Sequence, residues 1–235
     1  MAIAVASGVS TTSTANTNSY ASASFTPAAN DLLIVFVVAD GTDTVAATLT
    51  DSQGLGFTLM ARTTYNSAAD SVYCFVANKL AANSAMTVTF DCTGNNATGC
   101  NIYVARVSGA EGVYIRQIAT GSGAAGTAPA VVMPNAFITS NGGLGCVGNG
   151  ANPAACTAPA SWTETNGVDT GHNTPPTGQE CVNRLSGETG STITWAATSG
   201  TAWGAIVVEV YVAGNGIVSP DPFGMNGFFG GSSSV

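Results

Sequence analysis

Four glutamates, Glu164, Glu180, Glu188 and Glu209, one histidine and six cysteines are the residues of this chain best equipped for chemistry. Two carboxyl groups facing each other across a glycosidic bond make a hydrolase. The contexts of Glu180 and Glu209 predict otherwise. Both alternate with apolar residues in strand-like runs, where the outward face carries a solvated charge. His172 stands in Asp169-Thr170-Gly171-His172-Asn173-Thr174-Pro175-Pro176, where Asp169 could orient it as a base. Without a Gly-x-Ser-x-Gly elbow or similar nucleophile, it reads as an exposed loop histidine. Asp40, Asp43 and Asp51 could offer oxygens to calcium, yet turn-forming aspartates account for the same letters. Asn96-Ala97-Thr98 matches a glycosylation acceptor, which matters only on a eukaryotic secretory route. No catalytic residue, metal or cofactor is assigned, and the chain is not expected to be an enzyme.

The tryptophans and cysteines read as structural. Trp162 and Trp195 stand where Phe57 and Phe90 stand in an earlier stretch of similar sequence. That substitution pattern points to core aromatics more than to a sugar-stacking platform with Trp203. Cys92 and Cys100 flank a Gly- and Asn-rich turn, and Cys146 and Cys156 enclose a Gly-Asn-Pro loop. Each pair is a disulfide candidate, the bland alternative being free thiols in neighbouring strands. Cys74 and Cys181 fall inside strand-like runs and are expected as buried packing thiols. No CxxC spacing of a zinc site occurs.

The elements that must position these residues are strands. Expected strands are 20–26, 32–39, 57–63, 71–76, 86–90 and 101–107, then 114–119, 130–133, 144–147, 161–165, 179–182, 191–196 and 203–212, separated by Gly, Asn, Asp and Pro. No stretch keeps a 3.6-residue period beyond two turns. The two sets also echo one another. Gly56-Phe57-Thr58 matches Ser161-Trp162-Thr163, Tyr73-Cys74-Phe75 matches Glu180-Cys181-Val182, Thr87-Val88-Thr89-Phe90 matches Thr192-Ile193-Thr194-Trp195, and Ile102-Tyr103-Val104 matches Ile206-Val207-Val208, at offsets of 104 to 107. The expected fold is all-β: two tandem, internally repeated antiparallel β-sandwich units of jelly-roll or immunoglobulin-like type, with little helix. They are expected at 20–110 and 111–213, between a flexible N-terminal arm (1–19) and a C-terminal tail (214–235).

Composition narrows the partners. Charged residues are 8% of the 235, against about 25% in an ordinary soluble domain. Charge normally keeps soluble proteins apart, so the sparse charge predicts assembly. Five basic residues, Arg62, Lys79, Arg106, Arg116 and Arg184, are scattered among thirteen acidic ones, which disfavours direct nucleic-acid binding. The longest apolar run, 32–39, has eight residues, well short of the roughly 20 of a membrane-spanning helix. Met1–Ser7 lacks the basic start and apolar core of an export signal, as expected either of synthesis in a bacterial cytoplasm or of a start that replaces the native one.

The tail passes from Pro220 and Pro222 to Phe223, Met225, Phe228 and Phe229 among glycines. A Pro-rich hinge followed by spaced aromatic anchors is expected to dock onto another subunit.

Ser24-Phe25-Thr26-Pro27-Ala28-Ala29-Asn30-Asp31-Leu32-Leu33-Ile34-Val35-Phe36, then Leu49-Thr50-Asp51-Ser52-Gln53-Gly54, and the closing Ala202-Trp203-Gly204-Ala205-Ile206-Val207-Val208-Glu209 resemble the β-rich virion proteins of tailed bacteriophages. The likeness, to capsid decoration proteins and head or tail fibre domains, is one of texture and short phrases across most of 20–212. It implies a non-enzymatic virion protein assembled in the host cytoplasm. Its partners would be the major capsid protein or other virion subunits, with homo-oligomers in a symmetric lattice and neither nucleic acid nor membrane bound directly. Six cysteines would then stay reduced, or oxidise after lysis. A carbohydrate-binding adhesin or fibre module is the alternative.

Overall fold

The computed structural model describes residues 2–41, 47–78, 84–92, 97–109, 112–151, 156–165, 170–173 and 176–212. These are all-β, with antiparallel sheets and no helix among the described residues. In chain order the first strands are β1 (Ala4–Ser13), β2 (Ser19–Ala21), β3 (Leu32–Asp40), β4 (Thr48–Asp51), β5 (Thr58–Tyr65), β6 (Asp70–Asn78), β7 (Val88–Asp91) and β8 (Gly99–Ser108). They are followed by β9 (Val113–Gly123), β10 (Ala130–Val132), β11 (Gly142–Asn149), β12 (Thr163–Glu164), β13 (Thr170–Asn173), β14 (Pro176–Arg184), β15 (Thr192–Thr194) and β16 (Trp203–Val212).

The strands form two large sheets. One has the order β1-β8-β3-β6-β5 and the other β12-β14-β11-β16-β9, with β13 also on β14. Two small sheets, β2-β7-β4 and β10-β15, complete the set. Three separate cores show how they stack. Ile34, Phe36, Val38 and Tyr103 of the first large sheet share a core with Leu144, Cys146, Ile206 and Val208 of the second. On the other side of the first sheet, Leu33, Val35, Val37 and Tyr73 pack on Tyr20, Leu49, Val88 and Phe90 of the three-stranded sheet. Val147, Val182, Ala205 and Val207 likewise pack on Val131, Ile193 and Trp195. A strand covered on both faces has no solvated side to alternate with, which is why 32–39 is one unbroken apolar run.

Residues 4–13 depart from the expected flexible arm. They form β1, paired with β8 from Ala4 opposite Ser108 to Ser13 opposite Cys100, with an irregularity between Ser7 and Val9. The ladder is built from backbone groups, and Ser and Thr suit a strand lying on a preformed edge. Ile3, 4% exposed, anchors the start in the inter-sheet core. β4 and β13 also lie outside the expected strands.

Side-chain direction tests the echoed phrases one by one. Cys74 and Cys181 both face the inter-sheet core, and Val88 and Phe90 of one small sheet, like Ile193 and Trp195 at the other, all face a large sheet. The fourth phrase is out by one residue. Ile102 faces the three-stranded sheet, whereas Ile206 faces the inter-sheet core, so Tyr103 is the residue that corresponds to Ile206 in direction. A one-residue step turns every side chain to the other face.

Candidate functional site

The end of β3 and the start of β6 bring two carboxyl groups together. Ala39 lies opposite Ser71 in this ladder, so the next pair along is Asp40 and Asp70, 8% and 3% exposed. Like charges opposite one another are unfavourable. Burial, and then a hydrogen bond shared with the Asp70 carboxylate, push the Asp40 carboxyl up to about 7. Asp70 accepts from the Gly41 amide at 3.1 Å and from Asn66 Nδ2 at 2.9 Å. Asp40 accepts from the Thr177 hydroxyl of β14 at 2.8 Å, a bond that crosses from one large sheet to the other.

The turn that carries Asn66 is strained. Asn66, Ser67 and Ala68 have φ of 52°, 56° and 66°, three successive non-glycine residues in the left-handed region. The bond from Asn66 to Asp70 ties this turn to the pair. Asp40, Asn66, Asp70, Gly150, Pro176, Thr201 and Ala202 line a cavity of about 220 Å³. Tyr65, opposite Asp70 on β5, is 4% exposed, and its hydroxyl has no hydrogen-bond partner among the described residues. Burial pushes the Tyr65 phenol well above its ordinary value, and the charges of Asp70 and Asp40 push it the same way. The arrangement can hold and release a proton near neutral pH where the two sheets meet.

The glutamates go to separate places. Glu209 is fully buried, which corrects the expected solvated charge. It accepts hydrogen bonds from Arg116 Nη1 at 2.6 Å, the Ile138 amide at 2.9 Å, Asn141 Nδ2 at 2.7 Å and Gln117 Nε2. Gln117 lies opposite it on β9 and Gly143 opposite it on β11. Glu180, 1% exposed, is also interior, which corrects the same expectation. Glu188 accepts from Trp162 Nε1 at 3.0 Å and Arg184 Nη1 at 2.9 Å. Burial works to raise its carboxyl, but bonds from the Gly190 amide, Trp162 and the Thr189 amide, with the Arg184 charge, hold it below its ordinary value.

The remaining candidates disperse. Asp51 caps its own turn, accepting from the Gln53 and Leu55 amides at 2.7 and 3.0 Å. It sits in the three-stranded sheet, apart from Asp40, and Asp43 lies outside the described residues. Among the described residues no three His, Cys, Asp or Glu side chains converge as metal ligands. His172 is on β13, and its side chain is outside the described set, as is Asn96. Trp162, Trp195 and Trp203 are 6%, 0% and 5% exposed and sit together in one core. The docking residues Pro220, Pro222, Phe223, Met225, Phe228 and Phe229 lie outside the described residues.

All six cysteines are buried free thiols, so neither expected loop-closing disulfide is present. Cys92 follows β7 in the three-stranded sheet, and Cys100 belongs to the five-stranded sheet below it. Both thiols lie in the core between those two sheets. Cys146 faces the inter-sheet core while Cys156 lies in the core on the other side of the same sheet.

Sequence reasoning missed the Asp40–Asp70 pair. The usable signal was an aspartate at the end of one apolar strand and another at the start of the next long one, which antiparallel pairing places side by side. No family model matches the chain, and no curated protein is significantly similar to it.

Proposed function

We propose that this chain is a non-enzymatic structural subunit of a tailed-bacteriophage virion, a capsid decoration protein that binds neighbouring subunits. We further propose that it is built from two copies of one β-sandwich unit packed against each other. The observation that carries the role is the fate of the reactive side chains. Glu209 accepts from donors of two segments, 116–117 and 138–141, Glu188 is tied to Arg184 and Trp162, and Asp40 and Asp70 bond to the scaffold that joins the sheets. These groups hold layers together. The duplication is supported by the matching orders β1-β8-β3-β6-β5 and β9-β16-β11-β14-β12. The adhesin alternative is weakened because the tryptophans that would stack on sugar are interior.

In such a lattice many modest contacts add through multivalency, and the tail from 214 supplies one of them. The test is co-sedimentation of the full chain and of a chain ending at 213 with undecorated heads of the phage that encodes it. Saturable binding by the full chain and loss of binding on truncation are expected. Equal binding by both would overturn the docking tail, and no binding by either would overturn the virion role.

A further inference from the structure

The core between the two large sheets contains three thiols, Cys74 on β6, Cys146 on β11 and Cys181 on β14. Two of them are direct cross-strand partners, since the β11–β14 ladder sets Cys146 opposite Cys181. Directly opposed residues on antiparallel neighbours have Cα atoms about 4.5 or 5.5 Å apart and side chains on one face. A disulfide spans Cα separations of about 4.4–6.8 Å. The Cys146 and Cys181 thiols are in hydrogen-bonding contact, and Gln179 Nε2 donates to Cys146 Sγ at 3.6 Å. Cys74 belongs to the facing sheet, where the roughly 10 Å between layers exceeds what a bridge tolerates. On its own sheet Cys74 is opposite Phe36, so only the second sheet carries the cross-strand pair.

We propose that Cys146 and Cys181 are a latent cross-strand disulfide that, once oxidised, locks β11 to β14 in the middle of the six-stranded sheet. With a small peroxide as oxidant, one thiolate attacks a peroxide oxygen. The O–O bond breaks, leaving a sulfenic acid and one water after proton transfer. The partner thiolate then attacks that sulfur, the S–O bond breaks, a second water leaves and the S–S bond forms. The two sulfurs lose two electrons in all and the peroxide gains them.

Burial shapes the timing. Removal from water pushes the Cys181 thiol well above its ordinary value, with the neighbouring Cys146 adding to the effect, and a thiol is a poor nucleophile until it ionises. Oxidation therefore waits for the sheet to open. The protein folds with free thiols and acquires the bond slowly after it leaves a reducing compartment. This inference rests on strand register and holds whether or not the virion role does.

The test uses the full chain, reduced, then exposed to hydrogen peroxide under native conditions, alkylated in denaturant and digested without reductant for mass spectrometry. A peptide pair joined through Cys146 and Cys181 is expected, with Cys74, Cys92, Cys100 and Cys156 alkylated. The oxidised protein melts several degrees higher than the reduced one, and reductant reverses the shift. C74S keeps the link, while C146S and C181S lose it. If either of those variants fails to fold, the wild-type peptide map decides. A link through Cys74, or six alkylated thiols after exposures that outlast amide exchange of β11 and β14, overturns the proposal.

Discussion

The Thr177 hydroxyl donates to Asp40 Oδ2 at 2.8 Å, and this bond joins the two large sheets at the end of their shared core. Asp40 is also the carboxyl that burial and Asp70 push up to about 7. The junction between the halves thus contains a group that titrates near neutrality.

Its pH dependence has a definite sign. Because the folded-state value lies above the ordinary 3.8, the folded protein binds the Asp40 proton more tightly than the unfolded chain does. The stabilisation is complete below about pH 4 and is lost as pH rises through about 7. Asp40→Asn removes this slope. Urea unfolding from pH 4.5 to 8 is expected to show the wild type losing on the order of 2 kcal/mol, less than the full shift implies because the cavity admits solvent. A parallel slope in the variant would refute the assignment.

Glu209 is a fully buried side chain whose carboxyl oxygens accept from Arg116, Gln117, Ile138 and Asn141. Glu209→Ala leaves Arg116, Gln117 and Asn141 facing an empty site and is expected to cost about 3–5 kcal/mol. Glu209→Gln keeps the volume but turns an amide N–H toward donors, at a smaller cost. Denaturant midpoints of the two variants provide the measurement, and a neutral effect of the alanine change would contradict the network.

Tyr65 carries a buried hydroxyl with no hydrogen-bond partner among the described residues. Tyr65→Phe removes a polar group that gains nothing from its site, so stability is expected to stay level or rise by about 1 kcal/mol. A clear loss on thermal melting would show that the hydroxyl has a partner.

Gly143 makes room for a ring. A Cβ built there would collide with Trp162 and approach Phe137 to 3.0 Å, and neither ring can move freely in a packed core. Gly143→Ala is expected to cost about 1–3 kcal/mol. Gly126→Ala, where nothing lies within 4 Å, tests backbone strain alone at φ 81°. Chemical unfolding of the two should rank Gly143→Ala as the more damaging, and the reverse order would contradict the close approach.

Much of the fold is legible in local sequence. β3, β6, β8 and β16 follow from apolar runs with turn residues at their ends, because strand periodicity and turn chemistry act over a few neighbours. The echoed phrases are matched in side-chain direction at Cys74 and Cys181, which both face the inter-sheet core, and at Phe90 and Trp195, which each face a large sheet. β1 was illegible, since its Ser- and Thr-rich residues become a strand only through the edge that β8 offers. The Ile102 and Ile206 phrases align by letter yet differ in facing, because similarity of type does not encode the phase of a two-residue repeat.

By itself the sequence determined an antiparallel all-β chain with scarce charge and large interior aromatics, properties set by composition and short-range pattern. Tertiary structure alone decided which polar groups are interior and what they do. Glu209 reads as a surface charge until Gln117, Ile138 and Asn141, between 68 and 92 residues away, surround it. Asp40 and Asp70 are ordinary turn residues until two strands set them side by side, and Cys146 meets Cys181 only through the register of β11 and β14. The physical reason is common to all three. Burial and pairing free energies depend on distances between atoms remote in sequence, and those distances exist only once the sheets have stacked.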